Sequence, residues 1–179
     1  STGGFTDVLL RNGAREVVAV DVGYGQLVWR LQNDPRVRVL DRTNIRNLTP
    51  DMMGGLADLM VGDLSFISLK LVLPALVECL EDGADLLPMV KPQFEVGKDR
   101  LGSGGVVRSQ ELREEVTVDV AQFAQGLGLS VRGVAASPLP GPSGNVEYFL
   151  WLVKDGGEAM LDDDSLAAAV QKAVKEGPQ

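Results

Sequence analysis

The chain has 179 residues, 45% of them apolar and 23% charged, with a formal net charge of -8 and a mean hydropathy of +0.07. This length suits one domain with a sizeable core, and the balance excludes a wholly disordered or membrane-embedded chain. With no histidine and a single cysteine, Cys79, serine and cysteine triads fall away, no internal disulfide can form, and no metal site is expected. A pI near 4.6 argues against general attraction for nucleic acid, so any RNA contact has to be local. No apolar run is long enough to span a bilayer and no signal segment opens the chain, which therefore reads as soluble and cytoplasmic.

In chain order, STGGFTD sets a glycine pair directly before a helix predicted over Phe5–Asn12 and stopped by Gly13. VVAVDV predicts a strand over Val17–Val22 carrying Asp21 at its end, followed by a short helix over Gln26–Gln32. Further strands are predicted over Val37–Leu40, Asp58–Gly62 and Leu86–Val90, with a helix over Leu69–Leu80 whose stop signal is Gly83. A longer helix over Arg108–Gln125 precedes Gly126 and Gly128. The last two strands, Leu129–Ala136 and Val146–Val153, are joined by SPLPGPSGN, which is too short for a crossover helix and predicts an antiparallel hairpin at the sheet edge. The near-continuous apolar strands point to an α/β fold, a mostly parallel sheet with helices on both faces. From Asp162 onward alanines and charges predict a terminal helix over Ser165–Val174 and a frayed KEGPQ end, so residues 1–161 form the main domain and 162–179 a helical tail.

Two glycine loops compete for a cofactor. STGG opens a helix, where backbone N–H groups face a ligand in parallel α/β folds, but no strand precedes it, and a ragged terminus explains it equally well. VVAVDVGYGQL is strand, acid, Gly-x-Gly, helix, with Asp41 about twenty residues on, and resembles a dinucleotide loop. Leu27 stands where its third glycine would be. In the first register Asp21 is the acid that accepts from ribose hydroxyls, and Arg42, Thr43 and Asn44 follow the next strand.

Asp63 ends VGDLS, Lys91 ends MVKPQFE and Glu147 opens the NVEYFLW strand. In a parallel sheet Asp63 and Lys91 share the carboxyl rim, and an antiparallel last strand brings Glu147 there as well. An ammonium flanked by two carboxylates suits orienting and deprotonating a weakly acidic hydroxyl.

STGGFTDVLL, VDVGYGQL, DLSFISL, VKPQFEVGK, GGVV and SPLPGPSGNVEYFLWL together resemble the TlyA, or hemolysin A, family of FtsJ-like S-adenosylmethionine-dependent rRNA ribose methyltransferases, from Ser1 to about Lys154. The resemblance implies a Rossmann-like methyltransferase fold lacking its first strand here, and 2′-O-methylation of cytidines in small- and large-subunit rRNA. It makes STGGF the cofactor loop, so that Ser1, Thr2, Gly3, Gly4, Phe5, Asp21, Val22, Tyr24, Asp41, Thr43, Asn44, Asp63 and Leu64 are the expected S-adenosylmethionine contacts. Asp63, Lys91 and Glu147 match the last three members of the family's Lys-Asp-Lys-Glu tetrad. The first lysine, and an S4-type RNA-binding domain, are expected upstream of Ser1. Arg11, Arg15, Lys98, Arg100 and Arg108 are the candidate RNA contacts, with Phe94 stacking a flipped base. Other readings are a dinucleotide-dependent oxidoreductase using DVGYG, and a membrane-active protein of the kind the hemolysin label suggests.

Overall fold

The computed structural model describes residues 1–156 and 161–178, in which six strands and seven α-helices alternate. Strands β1 (Val17–Val20) and β2 (Val37–Leu40) pair in parallel. A second sheet has the order β3 (Ala57–Gly62), β4 (Leu80–Val90), β6 (Tyr148–Lys154), β5 (Leu129–Ala136). β3 and β4 are parallel, and β6 is antiparallel to both β4 and β5, so only β6 is reversed in this sheet. The expected α/β class and C-terminal hairpin are thus present. The hairpin, however, is not wholly at the edge. β6 lies inside, between β4 and β5, because Tyr148, Leu150, Leu152 and Val153 are buried and load both of its faces with apolar side chains. Among the described residues β1 pairs only with β2, and β3 only with β4, so each of them keeps one open edge.

Two packing clusters hold these layers. Leu10 of α1 (Gly4–Arg11), Leu27 and Leu31 of α2 (Trp29–Gln32) cover Val17, Ala19, Val37 and Val39, one face of β1 and β2. Val20 and Leu40, on the other face, join the main core. That core is built by α4 (Leu69–Glu78), α6 (Gln110–Gly126) and α7 (Asp163–Glu176) against the larger sheet.

Several boundaries differ from the sequence expectation for physical reasons. β1 ends at Val20, leaving Asp21 and Val22 in the loop beyond it. α2 is a single turn, since Leu27 is spent on the small core rather than on a helix. α4 ends at Cys79 and Leu80 already begins β4, where Gly83 adopts φ 82 opposite a register shift instead of stopping the helix. The carbonyls of Val77 and Leu80 are capped by the Lys154 ammonium, at 2.9 and 2.8 Å. α7 starts early because Asp162 accepts from the Ser165 N–H, and it runs through Lys175 and Glu176, which were expected to fray; Gln179 lies outside the described residues. Two one-turn helices were not expected, α3 (Pro50–Met53), capped by Thr49, and α5 (Pro92–Glu95), each started by a proline that presets φ.

Candidate active site

Because β3 and β4 are parallel, the loops that leave their carboxyl ends run side by side, and they are fastened residue by residue. Lys91 Nζ lies 2.5 Å from Asp63 Oδ1 and donates to Ser65 Oγ at 3.0 Å. Phe66 meets Phe94 with ring centroids 5.2 Å apart. Glu95 accepts from the Ser68 hydroxyl at 2.6 Å and from the Leu69 N–H at 2.8 Å, closing the N-terminus of α4. Burial pushes the Glu95 carboxyl above its ordinary range, against the pull of these two hydrogen bonds. The fastening supports Phe66, which is 90% exposed and holds a left-handed φ of 63, uncommon for a bulky residue.

The third acid arrives by register. Val90 pairs with Tyr148, which sets Lys91 opposite Glu147 on one face of the sheet, and Glu147 Oε1 lies 3.9 Å from Lys91 Nζ. The Lys91 and Glu147 side chains are 10% and 7% exposed, whereas that of Asp63 is 49% exposed. An ammonium is thus enclosed from below by a buried carboxylate and from the open side by an exposed one. Glu147 Oε1 accepts from Gln93 Nε2 at 3.0 Å. Asn145, 3% exposed, accepts from the Val107 N–H and donates to the Gly105 carbonyl, both at 2.9 Å. It thereby ties the glycine-rich loop after α5 to the strand that carries Glu147.

The loops after β1 and β2 form a second part of the rim. Gly3 caps α1 with φ 103, and a Cβ there would stand 2.4 and 2.5 Å from the Leu27 and Leu31 Cδ1 atoms, so only glycine fits. A Cβ on Gly4 would meet nothing within 4 Å, which leaves the start of α1 open. Asp21 accepts from the Gly23 N–H and from the Ser1 ammonium, whose hydrogen bond holds its carboxyl below the usual range. The Thr2 carbonyl accepts from the Val28 N–H, and Val22 is exposed. Asp41 accepts from the Gly25 N–H, the Thr43 N–H donates to the Asp21 carbonyl, and Asn44 caps a 3-10 turn through the Arg46 N–H. Arg42 lies 4.4 Å over the Tyr24 ring, and Leu64 packs on the main core. Phe5 meets Phe149 of β6 at 6.4 Å, which joins the glycine loop to the strand of Glu147.

The candidate RNA residues divide. Lys98, Arg100 and Arg108 are exposed on the glycine-rich loop beside the rim, where Arg100 pairs with Glu115. Arg11, paired with Asp7, and Arg15 lie at the C-terminal end of α1 and before β1, the sheet end opposite to Asp21. Phe94 sits at the rim under Phe66. Sequence reasoning missed Ser65, Phe66, Gln93, Glu95 and Asn145; the aromatic between two serines in DLSFIS was the one available signal.

The chain matches the FtsJ-like methyltransferase description over residues 1–154. It belongs to the FtsJ-like methyltransferase family. Among relatives of this family, it is 61% identical over 178 residues to the 16S/23S rRNA (cytidine-2′-O)-methyltransferase TlyA of Mycobacterium tuberculosis, covering 99% of this chain and 66% of the relative. A solved hemolysin structure from Streptococcus thermophilus superposes with a TM-score of 0.88 at 45% identity, covering 98% of this chain and 64% of that one. The chain therefore spans just under two thirds of the length of these relatives. The N-methyltransferase NodS of Bradyrhizobium japonicum, solved with S-adenosyl-L-homocysteine, has a TM-score of 0.59 at 13% identity over 86% of this chain and 73% of its own, a likeness of fold. The FtsJ-like fold decides between the two glycine loops. STGG opens a helix of two turns, whereas DVGYG leads only to one-turn α2 and its Leu27 is core. An S-adenosylmethionine fits the rim on two observations: Asp21 is aimed at a donor standing over the glycine loop, a place taken by the Ser1 ammonium, and the start of α1 is open above Gly4.

Proposed function

We propose that this chain is the catalytic part of a methyltransferase that moves a methyl group from S-adenosylmethionine to the 2′-oxygen of cytidine riboses in 16S and 23S rRNA. The observation that carries the reading is the buried Lys91 ammonium group between Asp63, Ser65 and Glu147, on the same rim as the glycine loop and Asp21. Ribosomal RNA and cytidine as substrates are suggested by the name of the 61% identical relative.

Bound S-adenosylmethionine supplies an activated methyl group. Asp21 would hold the ribose hydroxyls of the donor, and the loop 1–4 would receive its amino-acid end at the start of α1. Two directions around Lys91 Nζ are taken by Asp63 and Ser65, leaving one for the substrate 2′-hydroxyl. As the oxygen–carbon bond forms and the carbon–sulfur bond breaks, with its electron pair going to sulfur, the hydroxyl proton passes to Lys91. Asp63 and Glu147 stabilise the ammonium so formed. Most of the acceleration comes from holding oxygen, carbon and sulfur in line. Phe66, exposed beside Phe94, offers a face for a base turned out of its stack, and Lys98 and Arg108 reach the flanking phosphates.

The reading also expects a strand, the tetrad's first lysine and an S4-type RNA-binding domain upstream of Ser1. The open edges of β1 and β3 support the strand, since both carry unpaired N–H and C=O groups. The oxidoreductase reading loses support from buried Leu27 and one-turn α2. For the membrane-active reading, no described helix is long and apolar enough to cross a membrane. A cytoplasmic location follows from the proposed ribosomal substrate. The test is mass mapping of rRNA nucleosides after incubating ribosomal subunits with the full-length protein and a methyl donor, alongside calorimetric titration with S-adenosylmethionine and NAD. The reading expects 2′-O-methylcytidine and binding of S-adenosylmethionine alone; no methylated nucleoside, or binding of NAD alone, overturns it.

A further inference from the structure

We propose that Gln93 is a positioning residue for methyl transfer, its side-chain amide fixing the Glu147 carboxylate against Lys91. The proposal rests on the functional reading above. Lys91 and Glu147 stand 3.9 Å apart, beyond hydrogen-bond reach, so their attraction alone does not set the angle of the carboxylate. Gln93 Nε2 does set it, by donating to Glu147 Oε1 at 3.0 Å, the same oxygen that faces Lys91. Solvent cannot replace this donor readily, because only 7% of the Glu147 side chain is exposed. On the opposite side the carboxylate is confined by the loop at Gly141, where a Cβ would approach Oε1 to 2.8 Å.

A second observation separates this role from ordinary packing. Gln93 Oε1 is buried and has no hydrogen-bond partner among the described residues. An unpaired buried carbonyl is unfavourable, and an apolar side chain of similar length would remove it. Gln93 therefore carries a local cost, and what its amide does in return is hold the acid beside the reactive lysine. The placement is firm, since Gln93 lies in α5 between Pro92, which begins the turn, and Phe94, which packs on Phe66. Gln93 touches no reacting atom in this arrangement and acts through Glu147.

The test uses Gln93→Leu and Gln93→Met in the full-length protein, with ribosomal subunits as substrate and S-adenosylmethionine as donor. A misaimed carboxylate beside the proton acceptor lowers kcat by roughly 10- to 100-fold, the scale on which small displacements act. Donor affinity and the KM for the subunits are expected to stay within about threefold, and the melting temperature within about 3 °C, because one hydrogen bond and one unpaired carbonyl are removed together. In a Glu147→Gln background the second substitution is expected to cost nothing further, since both changes remove the same contact. Undiminished kcat in both variants, additive losses in the double variant, or failure of both variants to fold would each overturn the role of Gln93. Absence of methyl transfer by the wild-type protein would instead overturn the functional reading, and the proposal with it.

Discussion

Asn145→Ala tests how the rim is assembled. The Asn145 side chain makes two hydrogen bonds, from the Val107 N–H and to the Gly105 carbonyl, and it is 3% exposed, so alanine leaves two backbone groups without partners in a site largely closed to water. Each unpaired buried group costs about 1–3 kcal/mol, and partial hydration of the loosened loop reduces the sum to roughly 2–4 kcal/mol. For a domain of this size about 1 kcal/mol moves the melting temperature by about 2–4 °C, so a fall of roughly 5–15 °C is expected. Thermal unfolding followed by circular dichroism reads the total. Amide exchange localises it: the Val107 N–H is expected to lose protection, while Leu86 and Val131, in the central strands, keep theirs. A melting temperature within about 2 °C of wild type, or an unchanged Val107 amide, would refute the reasoning that Asn145 fastens the two loops.

Asp21→Ala is expected to weaken S-adenosylmethionine binding by about 1–2 kcal/mol, since the carboxylate is partly exposed and water replaces part of what it gives; calorimetry reads this directly, and unchanged affinity would make Asp21 a surface acid. For Glu95, whose folded-state value is raised above the ordinary 4.5, the favourable contribution of the protonated form is complete below that value and is lost as pH rises through the folded value. Melting curves of wild type and Glu95→Gln between pH 4 and 7 are therefore expected to show wild type losing ground to the variant as pH increases; a constant gap would contradict the raised value.

Much of this arrangement is readable in the residues themselves. Runs such as VVAVDV and LSVRGVAA specify strands by apolar content on both faces, and the short SPLPGPSGN link required an antiparallel partner, which was enough to bring Glu147 to the rim of Lys91. What was not readable depends on contacts between distant segments. Gly83 looks like a helix stop because its φ is positive, but a bulged strand uses the same φ, and the cap at α4 comes instead from Lys154, far along the chain. Gln93 and Asn145 are ordinary polar residues in sequence. Their roles exist only because α5 and the loop after β5 meet over Glu147. Leu27 marked the rival glycine loop as incomplete, and the structure supplies the reason, since its side chain fills the space that Gly3 leaves.

The central claim is that Lys91, held by Asp63 and Glu147, acts on the ribose hydroxyl while the glycine loop and Asp21 hold the donor. The direct measurement is methyl incorporation into ribosomal subunits by full-length Lys91→Ala at saturating S-adenosylmethionine, with donor affinity measured on the same preparation. Loss of the proton acceptor is expected to reduce transfer by at least about a hundredfold while donor affinity stays within about threefold. Near-normal transfer by Lys91→Ala would remove this lysine from the chemistry and contradict the account.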